Sequence, residues 1–115
     1  MDPRHRRALE AILENAARID AYVAAAGPGW QGDDMAVDAI AKRLEETGEQ
    51  AKMLSPDLLL QMPEVDWRGL KGIRDFLAHN YPAVVVGIIA SALDDDLPVL
   101  VRAVRRRLAD DNTKG

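Results

Sequence analysis

The sequence contains no cysteine among its 115 residues. That absence removes thiolate nucleophiles, disulfide frameworks and thiolate zinc sites from consideration, and it fits a reducing compartment. Histidine is almost as scarce, with only His5 and His79. No carboxylate cluster or second histidine suggests a metal site, so no metal or other cofactor is expected. Long apolar runs are also missing. The longest, Pro82 to Leu93, falls far short of a membrane span. The basic stretch Met1 to Arg7 leads into an amphipathic segment rather than the apolar core of a signal peptide. These absences point to a cytoplasmic protein with no membrane partner. The net charge of −4 argues against non-specific nucleic-acid binding, because the field of the whole molecule repels phosphate. The charges are unevenly spread, however. Arg4, Arg6 and Arg7 cluster at one end and Arg102, Arg105, Arg106 and Arg107 near the other, with acidic residues at Asp94–Asp96.

The length suits a single domain over residues 1–115, able to bury about two thirds of the surface its unfolded form exposes. Helical periodicity dominates. Leu9, Ile12, Leu13, Ala16, Ile19 and Val23 form one apolar stripe, which Gly27-Pro28-Gly29 should end near Ala26. Asp33 or Asp34 can cap a second helix with Val37, Ile40, Ala41, Leu44, Gly48 and Ala51 on its inner face. Ser55-Pro56 reads as a cap followed by a first-turn proline, predicting a short helix from Pro56 to Gln61. A third long helix should start near Asp66 and run through Leu70, Ile73, Phe76 and Leu77, with Pro82 as its limit. The apolar segment Ala83 to Leu93 has strand propensity at Val84–Ile89, but no partner strand exists elsewhere, so a buried helix is expected. A last helix places Leu97, Leu100, Val101, Val104 and Leu108 on one face. The expected architecture is all-α, a four- to five-helix up-and-down bundle.

One short stretch looks built for chemistry. Arg74, Asp75, His79, Asn80 and Tyr81 put five polar groups into eight residues between two strongly apolar segments. Polar groups at such a junction either form a satisfied network or line a cleft. Asp75 and His79 stand four apart on one helix face, so Asp75 can hold the histidine. Arg74 and His79 stand about 140° apart around an ideal helix. For their heads to converge, the arginine must reach round the helix or the last turn must distort; alternatively they converge across an interface with a second copy. His5, in a terminus expected to fray, reads as a surface residue. Trp30 and Trp67 read as core or interface anchors, Met53 and Met62 as core fillers, and Glu49 as a residue that faces the cleft and holds Arg74 or is simply solvated.

The order of these motifs resembles a known family. Arg74-Asp-Phe-Leu-Ala-His79-Asn-Tyr81 is similar to the R-x-x-x-x-H-x-Y signature of HepT-like toxins in the HEPN superfamily. Arg18-Ile19 with Tyr22 looks like the family's first-helix pattern. Leu44, Gly48-Glu49 and Ala51-Lys52 resemble its second-helix pattern, and Val65-Asp66-Trp67 with Leu70, Gly72 and Ile73 resembles the lead into the motif. The sequence departs from the pattern at Lys42-Arg43, where an arginine-asparagine pair is expected, at Val85, where an acidic residue is common, and at Pro82, directly after the tyrosine.

The resemblance implies a HEPN-like helical fold and a metal-independent endoribonuclease acting as the toxin of a toxin–antitoxin pair. It further implies RNA as substrate, Arg74 and His79 as catalytic residues with Asp75, Asn80 and Glu49 in support, and an MNT-type nucleotidyltransferase antitoxin that adenylylates Tyr81. The residue chemistry agrees: histidine can act as base or acid near neutral pH, and arginine offers phosphate a charged planar fork. One His79 fills one role at a time, so a homodimer with the site at its interface is the economical arrangement. The alternative is a non-catalytic nucleotide- or substrate-binding partner subunit of a nucleotidyltransferase.

Overall fold

The two apolar stripes at the start of the chain become the helices α1 (Pro3–Ala26) and α2 (Asp34–Lys52), joined through a 3₁₀ turn at Trp30–Gly32. The structure is a computed structural model and describes residues 1–79 and 82–114, with side chains described outside 82–85 and 114. The order continues with α3 (Pro56–Leu60), α4 (Trp67–Leu77), α5 (Pro82–Ser91), a π-helical turn (Ala92–Asp96) and α6 (Leu97–Lys114). No strand occurs among the described residues. The β-rich sequence around Val84–Ile89 is helical, so tertiary context overrides local propensity there.

The helices α1 to α4 each begin where a side chain caps them. Asp2 accepts from Arg4 N at 2.8 Å, Asp33 from Met35 N and Ala36 N at 3.0 and 3.2 Å, Ser55 from Leu58 N at 3.3 Å, and Asp66 from Gly69 N at 2.9 Å. These carboxylates and the hydroxyl satisfy amides that have no carbonyl partner in a first turn. Gly27 ends α1 with φ 81°, a left-handed geometry that glycine adopts without steric cost.

Helix α2 lies between α1 and α4, also touches α5, and α6 packs on α1. The core draws one row from each: Leu9, Ile12 and Ile19 of α1, Ile40 and Leu44 of α2, Leu70 of α4, Ile89 of α5 and Leu100 and Val104 of α6 are all buried. Trp67 is buried too and donates its indole N–H to Met62 O at 3.1 Å. Thr47, wholly buried, donates its hydroxyl to Arg43 O at 2.7 Å. Among the described residues no helix is long and apolar enough to cross a membrane.

Three expectations need correction. The first residues are not frayed: His5 is half-buried in the first turn of α1. That turn is tied to the end of α6 by the Met1 amine on Asp111 at 3.2 Å and by Arg6 on Asp111 and on Asn112. Met53 is no core filler. It follows the last residue of α2, points outward and is 61% exposed, whereas Met62 is fully buried. Nor is α5 buried all round. Of its described side chains only Ile89 is fully buried, Val86 and Ile88 are half-buried, and Gly87 is exposed.

The basic clusters are largely committed to internal pairs. Arg106 pairs with Glu64 and donates to Gln61 O at 3.1 Å, and Arg107 donates to the Gln61 side chain at 2.6 Å. The Arg106 guanidinium holds the Glu64 carboxyl below its ordinary range.

Candidate active site

Helix α4 stops earlier than Pro82 requires. Its last residue is Leu77, and His79 N bonds back to Phe76 O at 3.1 Å, a three-residue step that tightens the final turn. Such 3₁₀ closure is common at helix ends. It turns His79 off the α-helical path, and among the described contacts none joins the imidazole to the Arg74 guanidinium. Asn80 and Tyr81 lie outside the described residues.

Asp75 is the centre of the arrangement. Its carboxylate Oδ1 takes Arg74 Nη1 at 3.1 Å and Lys52 Nζ at 3.1 Å. Its backbone carbonyl lies 3.1 Å from His79 Nδ1. Asp75 thus holds His79 through its main chain, while its side chain is spent on two cations. A carbonyl only accepts, so this bond places a proton on Nδ1 and leaves Nε2 as the ring's free nitrogen. Lys52 first, and Arg74 after it, hold the Asp75 carboxyl below the usual carboxylate range. Asp75, and behind it Glu49, push the Arg74 guanidinium further towards its charged form against partial desolvation.

Arg74 is anchored from behind by Glu49. Nε and Oε1 of the pair face one another and are shielded from water. The approach of the two helices depends on Gly48. A Cβ there would overlap Arg74 Cβ and stand 3.1 Å from Arg74 Cγ and 3.3 Å from Leu70 O. Gly48 therefore sets how near α4 comes to α2, and with it where Arg74 sits.

The structure places Arg74 against Asp75 and Glu49, and His79 against the main-chain carbonyl of Asp75. The residue missed was Lys52. It falls one helical turn beyond Gly48, on the same face of α2, so the i, i+4 relation was the signal available. The unusual Lys42-Arg43 pair turns elsewhere: Lys42 pairs with Glu46 at 3.4 Å along α2, and Arg43 donates to Asn15 of α1 at 3.2 Å.

An all-α bundle with an arginine and a histidine near the end of α4, and a glutamate of α2 paired with the arginine, is consistent with a HEPN-like protein. A family model described as Ribonuclease HepT-like matches residues 7–107, and the chain belongs to this family. Similar curated proteins include "Putative RNase MJ0127" of Methanocaldococcus jannaschii, 29% identical over 72 residues, which make up 63% of this chain and 60% of that protein. Another is "Probable ribonuclease HepT" of Thermococcus cleftensis, 34% identical over 62 residues, 54% of this chain and 56% of that one. The matches thus span a little over half the length of these relatives. No solved structure matches the chain.

Proposed function

We propose that the protein is the ribonuclease toxin of a toxin–antitoxin pair, cutting RNA without a metal ion at a site built from Arg74 and His79. The observation that carries this reading is the sharing of Asp75. One residue fixes the arginine through its carboxylate and the histidine through its carbonyl, and the imidazole is exposed with Nε2 free. Nε2 can take the proton from a ribose 2′-hydroxyl. The 2′-oxygen then bonds to phosphorus, the bond from phosphorus to the 5′-oxygen breaks, and that oxygen needs a proton. The Arg74 fork stabilises the charge on the phosphorane. Membership of a family described as ribonucleases supports the same reading. The test is the purified chain on RNA with and without EDTA. Cleavage that persists in EDTA and leaves cyclic phosphate ends is expected; no cleavage, or cleavage stopped by EDTA, would overturn the nuclease or the metal-free part respectively.

In an in-line displacement the attacking and leaving oxygens lie on opposite sides of the phosphorus, out of reach of one imidazole, so the active form is proposed to be a homodimer with the site at its interface, where the His79 of the second copy protonates the leaving 5′-oxygen. Supporting this, Ile73, Phe76, Leu77, Val86 and Ile88 of α4 and α5 stay only half-buried. Light scattering at micromolar concentration should report twice the chain mass, and a monomer that still cleaves RNA would refute the interface site.

Tyr81 is proposed as the residue that an MNT-type nucleotidyltransferase antitoxin adenylylates, on the strength of its place in the motif. A nucleotide phosphate added there would compete with RNA for Arg74 by charge and by bulk. Co-expressed with that partner, the wild-type chain should gain an AMP-sized mass and lose activity. Tyr81→Phe should keep its mass and stay active as a nuclease; an equal mass gain on both proteins would place the modification elsewhere.

A further inference from the structure

Lys52 enters the site from a different helix, and the reaction as described does not use it. Its Nζ and Arg74 Nη1 each lie 3.1 Å from the same oxygen of Asp75. Two cationic heads that share one oxygen at that distance stand within about 6 Å of each other, close enough for a single phosphate to bridge both. We propose that the Asp75 carboxylate is a displaceable stand-in for an RNA phosphate, and that Lys52 is the second cationic residue of this phosphate subsite beside Arg74. The proposal rests on the ribonuclease reading and names how that site binds its substrate.

Two features set Asp75 apart from Glu49, the other carboxylate on Arg74. The Asp75 side chain is 61% exposed, so water can solvate it once it swings away. Glu49 instead meets Arg74 through atoms shielded from water. The two carboxylates also use different edges of the guanidinium. Glu49 faces Nε and Asp75 takes Nη1. Releasing Asp75 therefore frees the Nη1 donor while Glu49 keeps its ion pair with Nε. The charges match as well. Arg74 and Lys52 balance Glu49 and Asp75, so a departing carboxylate leaves one uncompensated positive charge, which one phosphodiester neutralises. Between encounters the carboxylate keeps that one positive charge compensated.

The test uses the full chain and a fluorescent 2′-O-methyl RNA, which cannot be cleaved because it lacks the attacking hydroxyl. Affinity is measured over a range of salt concentrations. Lys52→Gln should weaken binding about tenfold and flatten the slope of log affinity against log salt by about 0.7, the value for one phosphate contact on a single strand. Lys52→Arg should restore both. Asp75→Asn should tighten binding several-fold, because the competing charge is gone. Thermal melts of each variant exclude unfolding as the cause, and a purely structural role for Lys52 would leave the salt slope unchanged. Wild-type affinity and slope in Lys52→Gln would overturn the subsite, and weaker binding by folded Asp75→Asn would overturn the stand-in role. If the wild-type chain neither binds this RNA nor cleaves unmodified RNA, the ribonuclease reading falls with it. If it does both and the variants match it, the subsite alone is wrong.

Discussion

His79→Ala is expected to abolish RNA cleavage in a protein that still folds. The imidazole is exposed, and its one described hydrogen bond goes to a carbonyl in its own helix, so its removal opens no cavity in the core. Its Nε2 is by contrast placed to transfer a proton, whereas the Asp75 carboxylate is engaged by Lys52 and Arg74. A single acid or base role is worth about 10²- to 10⁴-fold in rate. In a two-fold site the substitution removes base and acid together, because each copy contributes the same residue, so the product should fall below detection. Single-turnover cleavage and a thermal melt, measured on the same preparation, check both halves of this expectation. A folded His79→Ala protein that cleaves at the wild-type rate would show that the imidazole takes no part in the chemistry.

The second large effect should come from a residue with no chemistry of its own. Gly48→Ala introduces a methyl group into the space held by Arg74 Cβ, close to Leu70 O. Neither neighbour is the loose end of a flexible chain, so the two helices must part. Overpacking of this kind costs about 1–3 kcal/mol, offset by about 1 kcal/mol because alanine is the better helix former. The expected fall in stability is modest. The loss of activity is expected to be much larger, because a catalytic group displaced by about 1 Å can cost on the order of 10²-fold. Gly72→Ala is the matched control. Gly72 is an exposed glycine of α4 with nothing within 4 Å of an added Cβ. It should raise the melting temperature and leave cleavage intact. Full activity in Gly48→Ala would mean that the α2–α4 approach does not position Arg74.

Much of this arrangement is legible in the sequence because it depends on short-range rules. The caps at Asp33, Ser55 and Asp66 follow from residue type and position alone, and so do the core rows, which repeat at helical spacing. The pairing of Glu49 with Arg74 was foreseeable once α2 and α4 were taken as neighbours, although the sequence left a solvated glutamate equally open. What was not legible is set by how far a turn rotates or where a helix stops. The spacing put the Asp75 carboxylate on His79, but the tightened last turn gives His79 the carbonyl and leaves the carboxylate to Lys52. Met53 fits the apolar pattern of α2, yet the helix ends one residue before it and the side chain turns outward. The half-exposure of α5 could not be read either. A segment apolar on every side looks the same in sequence whether its own chain or a second copy covers it.

The π-helical turn at Ala92–Asp96 lets α5 run into α6 without a loop. Leu97 N bonds to Ala92 O, one residue further back than in an α-helix. Pro98 follows directly and can offer no amide to Asp94 O, and its ring would press on that carbonyl in a regular helix. The wider turn opens the ladder at that place. It also acts as a gear. One extra residue in the turn offsets everything beyond it by about 100° around the axis. Leu97, Leu100 and Val104 owe their inward aim to that offset, not to hydrophobicity alone. The three aspartates stay on the outside of this turn. A chain shortened by one residue here would keep its composition and its helical content, yet it would turn the apolar row of α6 away from α1.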